Sequence, residues 1–115
     1  IFVGAGKVTR SKYRQYKAKR GRRGEGGMQG VGPPQLTYYT FQDEADRLGG
    51  CWRPKYSIRV GMRDLAHLIR VCHGNERMAL AIYNGGASNP NYNYADSVRS
   101  HQRHWHGVFH EARLA

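Results

Sequence analysis

The run Ser57-Ile58-Arg59-Val60-Gly61-Met62-Arg63-Asp64-Leu65-Ala66-His67-Leu68-Ile69-Arg70-Val71-Cys72-His73-Gly74 carries its apolar residues with the period of a helix. Ile58, Met62, Leu65, Ile69 and Cys72 recur at alternating steps of four and three, which places them on one stripe and predicts a core-facing helix. Arg59, Arg63 and Arg70 fall on the other face. Ser57 is the expected N-cap and Gly74 the expected stop. Upstream, Phe41, Ala45 and Leu48 repeat the helical spacing. Thr37 or Thr40 is the expected cap there, and Gly49-Gly50 the end. A turn through Cys51, Trp52 and Pro54 joins the two helices. Downstream, Asn75 is expected to cap a helix through Met78, Ala79 and Ile82 that stops at Asn84-Gly85-Gly86. An Asn-rich loop over 87–93 follows, then a last helix from about Tyr94 toward Trp105.

The N-terminal third reads differently. Residues 1–10 suggest an extended lead-in, Ser11–Arg20 a short cationic helix bearing Tyr13 and Tyr16, and Gly21 with Gly24 its end. Gly26–Pro34 is too rich in glycine and proline for regular structure and marks a loop. The expectation is a mainly α protein, one domain over residues 1–115 with one core. Ile1 in place of Met points to an excised domain or fragment. No internal repeat or coiled-coil heptad is visible.

Charge narrows the partners. The net charge is +11, and Lys7, Arg10, Lys12, Arg14, Lys17, Lys19, Arg20, Arg22 and Arg23 form a single-sign block with no carboxylate before Glu25. An anionic partner is therefore expected, through those nine residues. Nucleic acid is not the expected one, because no aromatic-interleaved RNA signature and no recognition-helix pattern accompanies the charge. No apolar run approaches the ~20 residues that span a bilayer. Cys51 and Cys72 permit at most one disulfide and read as free thiols. His101, His104, His106 and His110 have helical spacing but no matching Cys or carboxylate set, so they read as solvated side chains and no metal is expected. Cys72, though close to His67 and His73 in the chain, continues the apolar stripe and reads as core.

Three pieces in fixed order carry the chemistry: Gly32-Pro33-Pro34-Gln35-Leu36-Thr37, the run from Ser57 to Leu65, and Ala79-Leu80-Ala81-Ile82-Tyr83-Asn84-Gly85-Gly86. Gln35, Tyr83 and Asn84 offer planar amides and a phenol at the edges of glycine-rich turns, a chemistry suited to hydroxyl-rich sugar rings. Cleaving a glycosidic bond also requires a carboxylic acid to protonate the leaving oxygen.

In order and spacing the three pieces resemble the soluble lytic transglycosylase and goose-type lysozyme superfamily. There, a segment like G-L-M-Q-L-T precedes a helix opening N-I-x-x-G-x-x-Y-L and then A-L-A-A-Y-N-x-G. Tyr94-Ala95 with Val98 resembles the family's closing Y-A-x-x-V helix. Met28 through Trp52, with Gln42-Asp43 and Gly49-Gly50-Cys51-Trp52, looks like the version in endolysins of actinobacterial phages. The resemblance covers residues 32 to about 98. It departs from the family at Pro33-Pro34, where Leu-Met is usual, and at Ser57, where Asn is usual.

This likeness implies a lysozyme-like helical domain, incomplete at its N-terminus. It implies cleavage of the bond between N-acetylmuramic acid and N-acetylglucosamine in peptidoglycan, by a muramidase or a lytic transglycosylase, for host lysis. Gln35, Tyr83, Asn84 and Tyr94 would bind substrate, and no cofactor is implied. The enzyme would wait in the host cytoplasm until lysis and then act on the wall, with anionic wall polymers meeting the basic block. The family's acid is a Glu upstream of the Gln35-type segment, yet residues 1–24 hold no carboxylate. The expectation is that it lies before Ile1, with Glu25 as the fallback acid. The alternative is a catalytically inactive, cationic wall-binding or polyanion-binding module on the same scaffold.

Overall fold

Thr9 starts the first helix, its Oγ1 accepting the Lys12 N–H at 3.1 Å. The computed structural model describes residues 8–114, so most of the expected lead-in, and Lys7, lie outside the described residues. α1 (Arg10–Arg20) ends at Gly21, with φ 78°. α2 (Tyr39–Leu48), α3 (Pro54–Val71), α4 (Glu76–Gly85) and α5 (Tyr92–Leu114) complete a mainly α structure, as expected. Among the described residues the only β pairing is the isolated bridge Val31–Leu36.

Three helix starts differ from expectation. α2 is capped by neither threonine: the hydroxyl of Thr37 donates to the Gln35 carbonyl, and Thr40 lies within the helix. The Tyr38 carbonyl instead closes the first turn, accepting the N–H groups of Phe41 and Gln42. α3 begins at Pro54, where a missing N–H costs nothing, so Ser57 lies inside the helix and is buried. α5 begins two residues before Tyr94 and runs past Trp105. Asn75 does cap α4, through Oδ1 to the Met78 N–H.

The chain divides into two compact units, Ile1–Arg63 and Asp64–Ala115, with the boundary inside α3. Length suggested one core; among the described residues the buried apolar side chains form two clusters.

In the first unit the buried face of α3 is Ser57, Val60 and Gly61, while Ile58 and Met62 of the expected stripe are exposed. Small side chains explain the choice of face. Gly32, with φ 73°, sits so near Ser57 that a Cβ there would lie 2.7 Å from Oγ, so this loop and this face meet only because both are small. Burial of Val31, Leu36 and Val60 contributes about 1.5–3 kcal/mol each.

The same unit holds a polar centre. Gln42 is fully buried; its Oε1 accepts Tyr16 Oη at 3.0 Å and Arg20 Nη1 at 2.7 Å. Its Nε2 donates to the carbonyls of Gln29, Leu36 and Thr37. One amide therefore ties α1, the glycine-rich loop and the start of α2 together. Beside it, Asp46 accepts Tyr13 Oη at 2.8 Å, Lys17 Nζ at 2.7 Å and the Cys51 N–H at 2.9 Å. Burial, then the Asp46 charge, pushes the Cys51 thiol up to about 12.

In the second unit α4 and α5 pack through Leu80, Ala81 and Ala95, with Leu65 and Val98 against them. Arg77 joins the two helices from outside, its guanidinium paired with Asp96 at 2.7 Å and lying 4.5 Å from the Tyr92 ring centre.

Two outcomes follow. Replacing Gln42 by Ala leaves three carbonyls and the Arg20 guanidinium short of a partner, and lowers unfolding free energy by about 3 kcal/mol in urea titration; an unchanged midpoint would remove the amide from its central place. Cys51 and Cys72 are both free, the first buried and the second partly exposed. Mass spectrometry after alkylation at neutral pH is expected to find Cys72 modified first, since Cys51 offers neither access nor thiolate.

Candidate functional site

The Gln35 segment is a tight turn. Val31 and Leu36 exchange two backbone hydrogen bonds of 3.0 and 3.1 Å, and the Gln35 N–H donates to the Gly32 carbonyl. Gln35 takes φ 52°, unusual for a residue with a Cβ. Its exposed side chain helps hold that shape, Nε2 donating to the Gly32 carbonyl at 2.9 Å. The candidate glutamine is thus at the surface, with its amide also serving the turn.

Tyr83, Asn84 and Tyr94 belong to the second unit, where the close of α4 meets the opening of α5. Gly86, with φ 85°, ends α4 by donating its N–H to the Ile82 carbonyl. Asn91 then clasps both helices. Its N–H donates to the Ala81 carbonyl at 2.9 Å, its Nδ2 to Asn84 Oδ1 at 2.8 Å, and its Oδ1 accepts the Tyr94 N–H at 3.1 Å. Gly85 is required by this clasp, since a Cβ there would lie 2.8 Å from the Asn91 nitrogen. Tyr83 and Tyr94 are both partly buried, and burial raises both phenols; Tyr94 and Asp64 raise Tyr83 further. These phenols remain protonated donors at any physiological pH. The structure therefore brings Tyr83, Asn84 and Tyr94 into one polar neighbourhood, with Asn91 and Asp64 as members the sequence reading missed. Asn91 was legible as part of an Asn-rich loop, but nothing local marked it as the clasp.

Glu25 has the opposite character from an acid catalyst. It is fully exposed, and its carboxylate accepts the backbone N–H groups of Arg22 at 3.1 Å and Arg23 at 2.6 Å. Hydrogen bonds from its own backbone, then from Arg23, hold its pKa below that of an ordinary glutamate. A general acid needs the reverse, an apolar pocket that raises the value. None of the protein's eight carboxylates is buried.

The basic block is smaller than its sequence. Arg20 is buried, paired with Asp43 at 3.0 Å as well as with Gln42, and Lys17 is paired with Asp46. Arg20 leaves the list of surface cations, and Lys17, still partly exposed, has its charge met by Asp46, a correction that follows from α2 presenting carboxylates to α1. Arg10, Lys12, Arg14, Lys19, Arg22 and Arg23 remain exposed. Lys12, Gln15 and Lys19 line a groove of about 570 Å³ together with Gly27, Met28 and Gln29. No group of three metal-ligating side chains gathers among the described residues, and no helix among them is long and apolar enough to cross a membrane.

No family model, curated protein or solved structure matches the chain.

The Glu25 geometry makes a direct prediction. A carboxyl titration by NMR is expected to place Glu25 below an ordinary glutamate. Because its folded pKa is depressed, any stability it adds is present above the unfolded value and is lost as pH falls through the lowered one. A midpoint above the ordinary value would reinstate it as a proton donor.

Proposed function

We propose that these residues are the glycan-holding part of a lysozyme-like, peptidoglycan-cleaving domain of the phage endolysin kind. It acts on the bond between N-acetylmuramic acid and N-acetylglucosamine as a muramidase or lytic transglycosylase. The observation that carries the reading is the order of the Gln35, Ser57–Leu65 and Tyr83-Asn84 segments, each of which does definite work in the fold. The turn at Gln35 is braced by its own side chain, Ser57 and Gly61 lie on the buried face of α3, and Asn84, in the last turn of α4, is held in a hydrogen-bonded clasp. Rigid turns of this sort hold amides and phenols in place for a carbohydrate without an ordering cost on binding.

In that reading, Gln35, Tyr83, Asn84 and Tyr94 meet sugar hydroxyl and acetamide groups. Proton donation falls to a carboxyl in an apolar pocket, and Glu25 is not such a group. The exposed cations Arg10, Lys12, Arg14, Lys19, Arg22 and Arg23 draw the domain to anionic wall polymers by an attraction that salt screens. The same cations favour a second reading, in which the domain binds the wall without cutting it.

Two measurements on the protein that carries residues 1–115 separate these readings. Pelleting with purified peptidoglycan is expected at low salt and to weaken several-fold as ionic strength passes ~0.15 M. Release of soluble muropeptides is expected in the enzymatic reading and absent in the binding one. Protein that stays in the supernatant at low salt would sink both. Glu25→Gln is expected to leave pelleting and release unchanged, and loss of release alone would return catalysis to Glu25.

A further inference from the structure

From Gly26 to Gln42 the chain has no charged side chain, although the protein as a whole carries +11. Within that neutral stretch Tyr38 stands 48% exposed. Its ring centre lies 4.8 Å from that of Tyr39 and 6.0 Å from that of Phe41, so two neighbouring rings brace it from the side. The backbone beneath is held as well: the Tyr38 carbonyl accepts the N–H groups of Phe41 and Gln42 at 3.1 and 3.2 Å. Gln42 in turn grips the Leu36 and Thr37 carbonyls just before it. An exposed aromatic ring on so firm a support is preorganised, and the core makes no use of its outer surface. Exposed hydroxyl and amide groups border it in sequence, at Gln35, Thr37 and Thr40.

We propose that Tyr38 is a sugar-stacking subsite. The apolar face of an N-acetylated pyranose ring lies on the phenol, while its hydroxyl and acetamide groups meet Gln35, Thr37 and Thr40. The proposal rests on the glycan reading above and adds to it a contact residue outside the motif positions. Other occupants of an exposed tyrosine fit less well. Nucleobase stacking is accompanied by cations that follow the phosphates; none occurs within residues 26–42, and Lys12 and Lys19 meet this stretch in the groove at residues 26–29. A quaternary ammonium would face the field of a strongly cationic protein. A ring with a neutral hydrogen-bonding border matches a neutral, hydroxyl-rich ligand.

The test uses the whole chain and a tetramer of β-1,4-linked N-acetylglucosamine, titrated by amide NMR, with an oligothymidylate of similar length as the competitor class. Tyr38→Ala is expected to weaken tetramer binding about tenfold, the scale of one aromatic stacking contact, while Tyr38→Phe retains it. Tyr38 is exposed, so both variants are expected to melt like the parent. Equal binding by the parent and Tyr38→Ala overturns the subsite and leaves the glycan reading standing. Absence of tetramer binding by the parent overturns both. Oligothymidylate binding that depends on Tyr38 and exceeds tetramer binding overturns the sugar assignment in favour of nucleic acid.

Discussion

A primary amide enclosed among backbone carbonyls is the constraint on which the first unit depends. Gln42 has no exposed surface, and every polar atom of its side chain is engaged. A buried amide without such partners would cost several kcal/mol. The Gly26–Pro34 loop therefore cannot wander, because its Gln29 carbonyl and the Leu36 and Thr37 carbonyls just beyond it are what satisfy Nε2. The loop is irregular in dihedral angles and still defined in position. Its glycines permit the path, and the glutamine selects it.

The same centre divides the positive charge into two kinds. Tyr13, Tyr16, Lys17 and Arg20 lie on one side of α1 and meet the carboxylates and amide of α2, Asp43, Asp46 and Gln42. The cations on the far side meet water. A helix with no acidic residue of its own thus docks by borrowing negative charge from α2, and what remains outside is a cationic surface on a fixed support. In the proposed function, attraction to an anionic wall would act through α1 and holding of a neutral sugar through the uncharged stretch around Tyr38.

The second unit solves a related problem by other means. Two helices must turn sharply around Asn84-Gly85-Gly86, and the buried apolar contact between them is small, made of Leu80, Ala81 and Ala95. Asn91 compensates by bonding to both helices at once, and Arg77 adds an outer strap through Asp96 and Tyr92. Tyr83 and Tyr94 end up partly buried next to this clasp, their phenols fixed as donors.

Helix identity was legible from local pattern, since glycine stops, the Asn75 cap and the three-four spacing depend on neighbours in the chain. Pro54 and Tyr38 show where local pattern gave out: α3 starts at a proline three residues before the expected Ser57 cap, and α2 starts without either threonine, its first turn closed by the Tyr38 carbonyl. The apolar stripe of α3 named Ile58 and Met62 as core, and they are exposed because the helix buries the face of Ser57, Val60 and Gly61 instead, where the Gly32 loop comes close to the small Ser57 side chain. Of the candidate site, Gln35, Tyr83 and Asn84 were named for their residue types at glycine-rich turns, and Tyr94 for its likeness to a family's closing helix. Their hydrogen-bonding states could not be read that way, nor could the roles of Gln42, Asn91 and Tyr38. By itself, then, the sequence determined a mainly α chain with a cationic N-terminal helix. Only tertiary structure decided which cations reach solvent and which amide the loop is built on, because pairing and burial join residues far apart in the chain.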